Sequence, residues 1–181
     1  MGITKKMVTA ALLVALGVII PMVFHAIPGA GSIILPMHIP VLMCGLLLGA
    51  PFGLACGLLT PLLSSFITGM PPLAYLPSML VELSVYGLVS GVMVQVLKIK
   101  KEALKLYIAL VVAMICGRLV GGALNALIFR AGEYSTKLWL STYFVTGLPG
   151  IVIQVGSVPS IVLALKRSRI GGNAGYRLQE N

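Results

Sequence analysis

The stretch that decides the fold spans residues 35–72 and reads LPMHIPVLMCGLLLGAPFGLACGLLTPLLSSFITGMPP. Apart from His38 it carries no ionisable group other than cysteine thiols, and four of its five glycines recur at every fourth position, at Gly45, Gly49, Gly53 and Gly57. In lipid, where apolar side chains gain little by associating, small residues four apart let helix backbones approach and pack. The stretch therefore predicts a membrane-embedded helical hairpin with arms over 36–49 and 52–67 and a turn at 49–51.

The composition of the whole chain agrees with this interpretation. Of 181 residues, 59% are hydrophobic and 9% are charged, and the mean hydropathy is +1.07. These values are typical of membrane proteins and exclude a soluble globule. Because a spanning helix needs about 20 apolar residues, the length accommodates about six spans in one domain.

Apolar runs outside the hairpin predict four more spans, over residues 7–23, 77–97, 103–128 and 138–165. We interpret the first as an uncleaved helix, because no small-residue cleavage site precedes Pro28. The sequence thus predicts an all-α integral membrane protein, a bundle of six transmembrane helices. A single transmembrane domain covers residues 1–167, and a cytoplasmic tail covers residues 168–181.

The net charge of +9 indicates orientation in the membrane and not binding to nucleic acid. Basic residues cluster at the ends of apolar segments, and most lie on one side: Lys5, Lys6, Lys98, Lys100, Lys101, Lys105, Lys166, Arg167, Arg169 and Arg177. By the positive-inside rule this side is cytoplasmic. Both termini are therefore expected inside.

Two ionisable residues, Glu82 and Arg118, lie deep inside predicted spans. At about 1.5 Å per residue, Glu82 is roughly 24 Å from the basic helix end at Lys98, and Arg118 is roughly 20 Å from Lys105. Their depths match, so the two side chains can pair. Charges inside the membrane usually face a partner or an aqueous cavity. The sequence leaves two interpretations open, a structural ion pair and a substrate contact.

Helical periodicity extends this patch, because residues three, four and seven apart share a face. Tyr75 and Tyr86 share the face of Glu82, Asn125 shares the face of Arg118, and Gln154 is an isolated polar residue on the last span. Converging polar groups in an apolar surround are typical of a small-molecule site, and Gly121 and Gly122 beside Arg118 are expected to leave room for a ligand. The tyrosine stripe is equally consistent with ordinary packing. His38 is a further candidate contact, although a structural histidine fits the position as well.

Catalytic and metal-binding motifs are missing from the sequence. There is no Asp, no HExxH, no CxxC and no GxxxxGK[ST] phosphate loop. We therefore expect a protein that is not an enzyme, binds no metal or cofactor and does not hydrolyse ATP itself.

Over roughly residues 5–167, these features resemble the S component, the substrate-binding membrane subunit, of an energy-coupling-factor (ECF) vitamin transporter. The resemblance rests on six short spans, the hairpin segments, a polar patch on the last three spans and the pair Ala11 and Ala15 in an AxxxA pattern on the first helix. It implies a cell-membrane protein that binds a vitamin near its outer face. It also implies that Ala11 and Ala15 face a transmembrane coupling subunit, which works with two cytoplasmic ATPase subunits.

The chemistry of the patch makes pantothenate the preferred substrate, because a buried arginine can bind a carboxylate through two parallel hydrogen bonds. If Glu82 neutralises Arg118, a neutral substrate such as pyridoxine fits as well. Hydroxymethylpyrimidine, riboflavin and a queuosine precursor remain open. A second class of function, a small self-associating channel or structural protein, would use the glycine-rich faces to form homo-oligomers.

Overall fold

Apolar runs interrupted by glycine and proline fold into helices throughout the part of the chain that the computed structural model describes, residues 2–24, 30–129 and 136–177. The helices are α1 (Ile3–Phe24), α2 (Ala30–Ile34), α3 (His38–Leu48), α4 (Ala50–Thr68), α5 (Leu76–Val96), α6 (Glu102–Leu124), α7 (Thr136–Leu140) and α8 (Leu148–Arg177). Helices α6 and α7 each continue into a π-helical segment, Asn125–Phe129 and Ser141–Thr146.

Within the described residues, five helical stretches are long and apolar enough to cross a membrane. They are Ile3–Phe24, Ala50–Thr68, Leu76–Val96, Glu102–Ile128 and Leu148–Ser168. The first hairpin arm is α3, whose 11 residues cover about 16 Å, roughly half of the hydrocarbon thickness. An all-helical membrane architecture follows, with five candidate spans and one shorter apolar helix. The cytoplasmic placement of both termini stays a prediction.

The last span begins later than predicted. The sequence indicates one helix over 138–165, whereas the chain forms α7 and a π-helical segment, breaks at Gly147, and starts α8 at Leu148. Pro149 stands at the second position of α8, where its missing N–H costs no hydrogen bond. Hydropathy is continuous across this break, so apolarity alone does not reveal it. The helix then extends past Leu165 to Arg177.

The short helix α3 is the centre of the bundle. It packs against α1, α4, α5, α6 and α8, and Val41, Leu42 and Cys44 are fully buried. A helix surrounded by other helices needs no lipid-facing side, which is consistent with its uniform apolarity. The predicted turn is present, since Gly49 adopts φ 95° between α3 and α4, a conformation that glycine tolerates.

The glycine repeat of the hairpin packs against α5, as its spacing predicts for a close helix contact. A Cβ on Gly53 would overlap the backbone of Gly87, and a Cβ on Gly57 would overlap the backbone of Leu83. The converse also holds, since a Cβ on Gly87 would overlap Gly53. These helices therefore touch backbone to backbone, which fixes α5 and its polar side chains against the core.

Candidate binding site

Tyr86 is the hub of a buried polar cluster between α5 and α6. Its hydroxyl donates a hydrogen bond to Glu82 Oε1 at 2.9 Å and accepts one from Arg118 Nε at 3.1 Å. Tyr86 is fully buried, and Glu82 and Arg118 are 7% and 3% exposed. The two intramembrane charges that the sequence places at matching depth are thus joined through one hydroxyl group.

His38 brings α3 to the same cluster. Its Nε2 lies 3.7 Å from Glu82 Oε1, and its ring centroid lies 5.2 Å from that of Tyr86 at an interplanar angle of 59°. The side chain is 3% exposed. Three helices therefore meet at one group of polar side chains, and the role of His38 as a ligand contact stays a prediction.

Aromatic rings pack directly against two glycines near Arg118, where a larger residue would leave no space. A Cβ on Gly117 would overlap the ring of Tyr86, and a Cβ on Gly122 would overlap the indole of Trp139. The indole N–H of Trp139 donates a hydrogen bond to the carbonyl oxygen of Arg118 at 3.2 Å. The expectation of open space beside Gly122 is therefore wrong, because the indole fills it, and Trp139 is a member of the site that the sequence did not indicate.

Asn125 adds a buried polar side chain about two helical turns beyond Arg118. Its Nδ2 donates to Ser78 Oγ at 2.6 Å and to the carbonyl oxygen of Gly121 at 2.8 Å, and the residue is 6% exposed. It stands where α6 becomes π-helical, and such irregular turns are frequent at functional sites. Ser78 was not predicted, because no spacing in the sequence links it to Asn125.

Gln154 on α8 contacts the turn that precedes α3. It is fully buried, and its Nε2 donates to the carbonyl oxygen of Leu35 at 3.4 Å. The same carbonyl accepts the backbone N–H of His38 at 3.1 Å. Gln154 is therefore anchored to the turn that precedes α3.

Tyr75 lies apart from the buried residues. It precedes the first turn of α5 and is 52% exposed. The structure thus brings together Glu82, Tyr86, Arg118 and His38, with Asn125 and Gln154 anchored to neighbouring elements, and leaves Tyr75 at the periphery.

The cluster balances one buried cation against one buried anion through a neutral hydroxyl. Removing either partner of such an arrangement leaves an uncompensated charge in a low-dielectric medium, which is far more costly than the intact network. This arrangement fixes the rotamers of Tyr86 and Arg118 before any ligand binds. Among the residues that the structure describes, no group of three His, Cys, Asp or Glu side chains is suited to hold a metal ion.

A second surface lies between α1 and α4. Ala11 and Ala15 are exposed there and line an apolar groove of about 710 Å³ with Phe52 and Leu59. The two small alanines deepen the α1 side of this groove. The AxxxA pair therefore faces outward, away from the core, which is the arrangement that a docking face requires.

Five apolar candidate spans around a buried charged cluster define a multi-pass membrane protein with an internal polar site. The model of one protein family, described as ECF transporter, substrate-specific component, matches residues 5–162. This chain belongs to that family, the substrate-specific components of ECF transporters. Members of the family bind the transported substrate and work with a membrane coupling subunit and ATPases.

No curated protein and no solved structure matches the chain. Family membership favours a transport component over the self-associating channel that the glycine-rich faces also permit.

Proposed function

We propose that this chain binds a small micronutrient at the Glu82, Tyr86 and Arg118 cluster and delivers it for import by an ECF transporter. The observation that carries the proposal is the buried Arg118, held by Tyr86 in a chain of this family. Buried charges inside membrane helices are costly and usually functional. The chain needs no cofactor for this role, because partner ATPases supply the energy.

Pantothenate is the substrate we favour. A guanidinium binds a carboxylate by two parallel N–H donors along one edge, and the contact with Tyr86 orients that edge. Asn125 lies about two helical turns beyond Arg118, within reach of the amide and hydroxyl groups of a molecule of this size. In this buried position a carboxylate attracts the guanidinium more strongly than it would in water, because the local dielectric is low.

A neutral substrate such as pyridoxine is the second candidate, and one contact favours it. Glu82 lies a single hydroxyl away from Arg118 and offsets its charge. Glu82→Gln distinguishes the two candidates. Removing the negative charge should strengthen binding of a carboxylate at least about threefold, because an unfavourable Coulomb term disappears. Binding of a neutral ligand should stay the same or weaken, since the acceptor for Tyr86 is poorer.

Arg118→Ala tests the site assignment. We expect binding of pantothenate to weaken more than tenfold, the loss of about 1.4 kcal/mol or more, in isothermal titration with the protein in detergent or nanodiscs. Arg167→Ala is the matched control, because Arg167 is exposed at the far end of α8. Binding by Arg118→Ala with wild-type affinity would contradict the assignment.

The groove between α1 and α4 is the surface we assign to the coupling subunit. It is apolar, open to the bilayer and lined by Ala11 and Ala15, so a partner helix can approach the backbone of α1 closely. Ala11→Leu and Ala15→Leu fill the groove. We expect both variants to lose copurification with the coupling subunit while they keep substrate affinity. Ala164→Leu, also an exposed alanine in a span, should assemble normally. Normal assembly of the groove variants would refute this placement.

A further inference from the structure

Two buried side chains flank the turn before α3 and carry polar atoms without a hydrogen-bond partner. Among the residues that the structure describes, Gln154 Oε1 has none, although the residue is fully buried. Neither ring nitrogen of His38, at 3% exposure, has one there either, since Glu82 Oε1 at 3.7 Å from Nε2 is beyond hydrogen-bond distance. A buried polar atom left unpaired costs more than a hydrogen bond gains. Such atoms in a native protein call for an explanation, and a bound ligand is one.

The amide orientation of Gln154 is fixed by its surroundings. Its partner is the carbonyl oxygen of Leu35, which can only accept, so the nitrogen must face Leu35 and the oxygen must face away. Leu35 has φ 53°, a conformation uncommon for a leucine, and it directs this carbonyl toward α8. One turn before Gln154, a Cβ on Gly150 would lie 2.8 Å from the carbonyl oxygens of Ile33 and Ile34. The segment α2 is therefore seated on α8 and holds Gln154 in place.

We propose that Gln154 Oε1 accepts a hydrogen bond from a hydroxyl group of the substrate, with His38 as a second polar contact, so that the site selects hydroxylated compounds. This rests on the proposed function and adds a specificity determinant to it. An oxygen that only accepts requires a donor from the ligand. His38 in its neutral form offers one donor and one acceptor, which a hydroxyl group can match. Arg118 and Gln154 then bind different ends of one substrate molecule.

The test compares pantothenate with its analogues that lack one hydroxyl each, and pyridoxine with 4-deoxypyridoxine. Wild type should bind the parent compound at least about tenfold more tightly than a deoxy analogue, because the analogue leaves Oε1 unpaired. Gln154→Leu should bind parent and analogue with affinities within about twofold of each other. Gln95→Leu is the matched control, since Gln95 is exposed on α5, and it should keep the wild-type preference. A Gln154→Leu variant that still prefers the parent compound overturns the proposal.

The ligand-free protein provides a second readout that does not depend on the choice of vitamin. Gln154→Leu keeps nearly the side-chain volume and removes the unpaired oxygen, and it loses only the long bond to Leu35, whose carbonyl oxygen still accepts the N–H of His38. The thermal unfolding midpoint of the ligand-free variant should therefore equal or exceed that of wild type. A lower midpoint would show that the Gln154 amide serves only to stabilise the fold, and it would overturn the proposal. Failure of the proposed function is distinct, since wild type itself would then bind none of the candidate micronutrients, whereas the midpoint of the ligand-free variant still tests Gln154.

Discussion

The hydroxyl group of Tyr86 is the smallest perturbation that disconnects the buried charges. Tyr86→Phe keeps the ring, which packs on Gly117, and removes both hydrogen bonds of the hydroxyl, to Glu82 and to Arg118. The ring is fully buried, so water cannot replace the missing group. The variant therefore isolates the electrostatic link from the packing around it.

The magnitude follows from the two bonds that are lost. Hydrogen bonds to charged groups contribute about 1.5–3 kcal/mol each, and direct contact between Glu82 and Arg118 can recover part of this sum. We expect the free energy of unfolding to fall by about 2–4 kcal/mol. Substrate affinity should fall at least about tenfold, because Arg118 loses the group that orients it.

Unfolding by sodium dodecyl sulfate in mixed micelles, followed by circular dichroism without ligand, measures the stability change. Tyr107→Phe is the matched control, because Tyr107 is 37% exposed on α6 and lies about three turns from Arg118. The reasoning is refuted if Tyr86→Phe and Tyr107→Phe unfold at the same detergent fraction and bind substrate equally well.

Two further predictions concern the helix contact and the indole. Gly87→Ala should lower the free energy of unfolding by about 3 kcal/mol, because its methyl group would overlap Gly53; Gly156→Ala, with nothing near its Cβ, should be neutral in the same assay. Trp139 is the one tryptophan of the chain, so its emission should change when substrate binds beside Arg118 and should stay constant on titration of Arg118→Ala. Equal stability of both glycine variants, or an emission that substrate leaves unchanged in wild type, would contradict the respective contact.

The charged centre of the site could be predicted because it depends on periodicity and depth. Glu82 and Tyr86 share a helical face, and Arg118 lies at the same depth on the next helix. Helical periodicity and the distance from the basic helix ends are therefore sufficient to predict that these residues are neighbours. What the sequence left open was the way in which the two charges meet. Their connection through the Tyr86 hydroxyl depends on the separation and rotation of α5 and α6, which residue spacing does not encode.

The contacts between distant segments could not be predicted. Trp139 reaches Arg118, Ser78 reaches Asn125 and Leu35 reaches Gln154 across chain separations that no local pattern links. The indole beside Gly122 shows most clearly what a local sequence pattern cannot predict. A glycine indicates that something approaches closely, but it does not say whether that is a ligand or a side chain of the same protein.

Apolar runs locate the ends of the spans over Leu76–Val96 and Glu102–Ile128 closely, but they do not locate the start of the last span. Gly49 marks the hairpin turn because its positive φ suits glycine. The apolar run from Leu138 to Leu165 looks continuous, yet the chain breaks at Gly147 and starts again at Leu148. Apolarity reports the surroundings of a segment, and only the glycine and proline within it report an interruption.

Mass spectrometry of the small molecules released from purified protein tests the central claim most directly. A tight substrate-binding subunit should carry its substrate through purification. We expect wild type to release one micronutrient, pantothenate, in near-stoichiometric amount, Arg118→Ala to release less than about a tenth of it, and Arg167→Ala to release the wild-type amount. Equal release of the same compound from wild type and Arg118→Ala would contradict the claim that the buried arginine cluster holds the substrate.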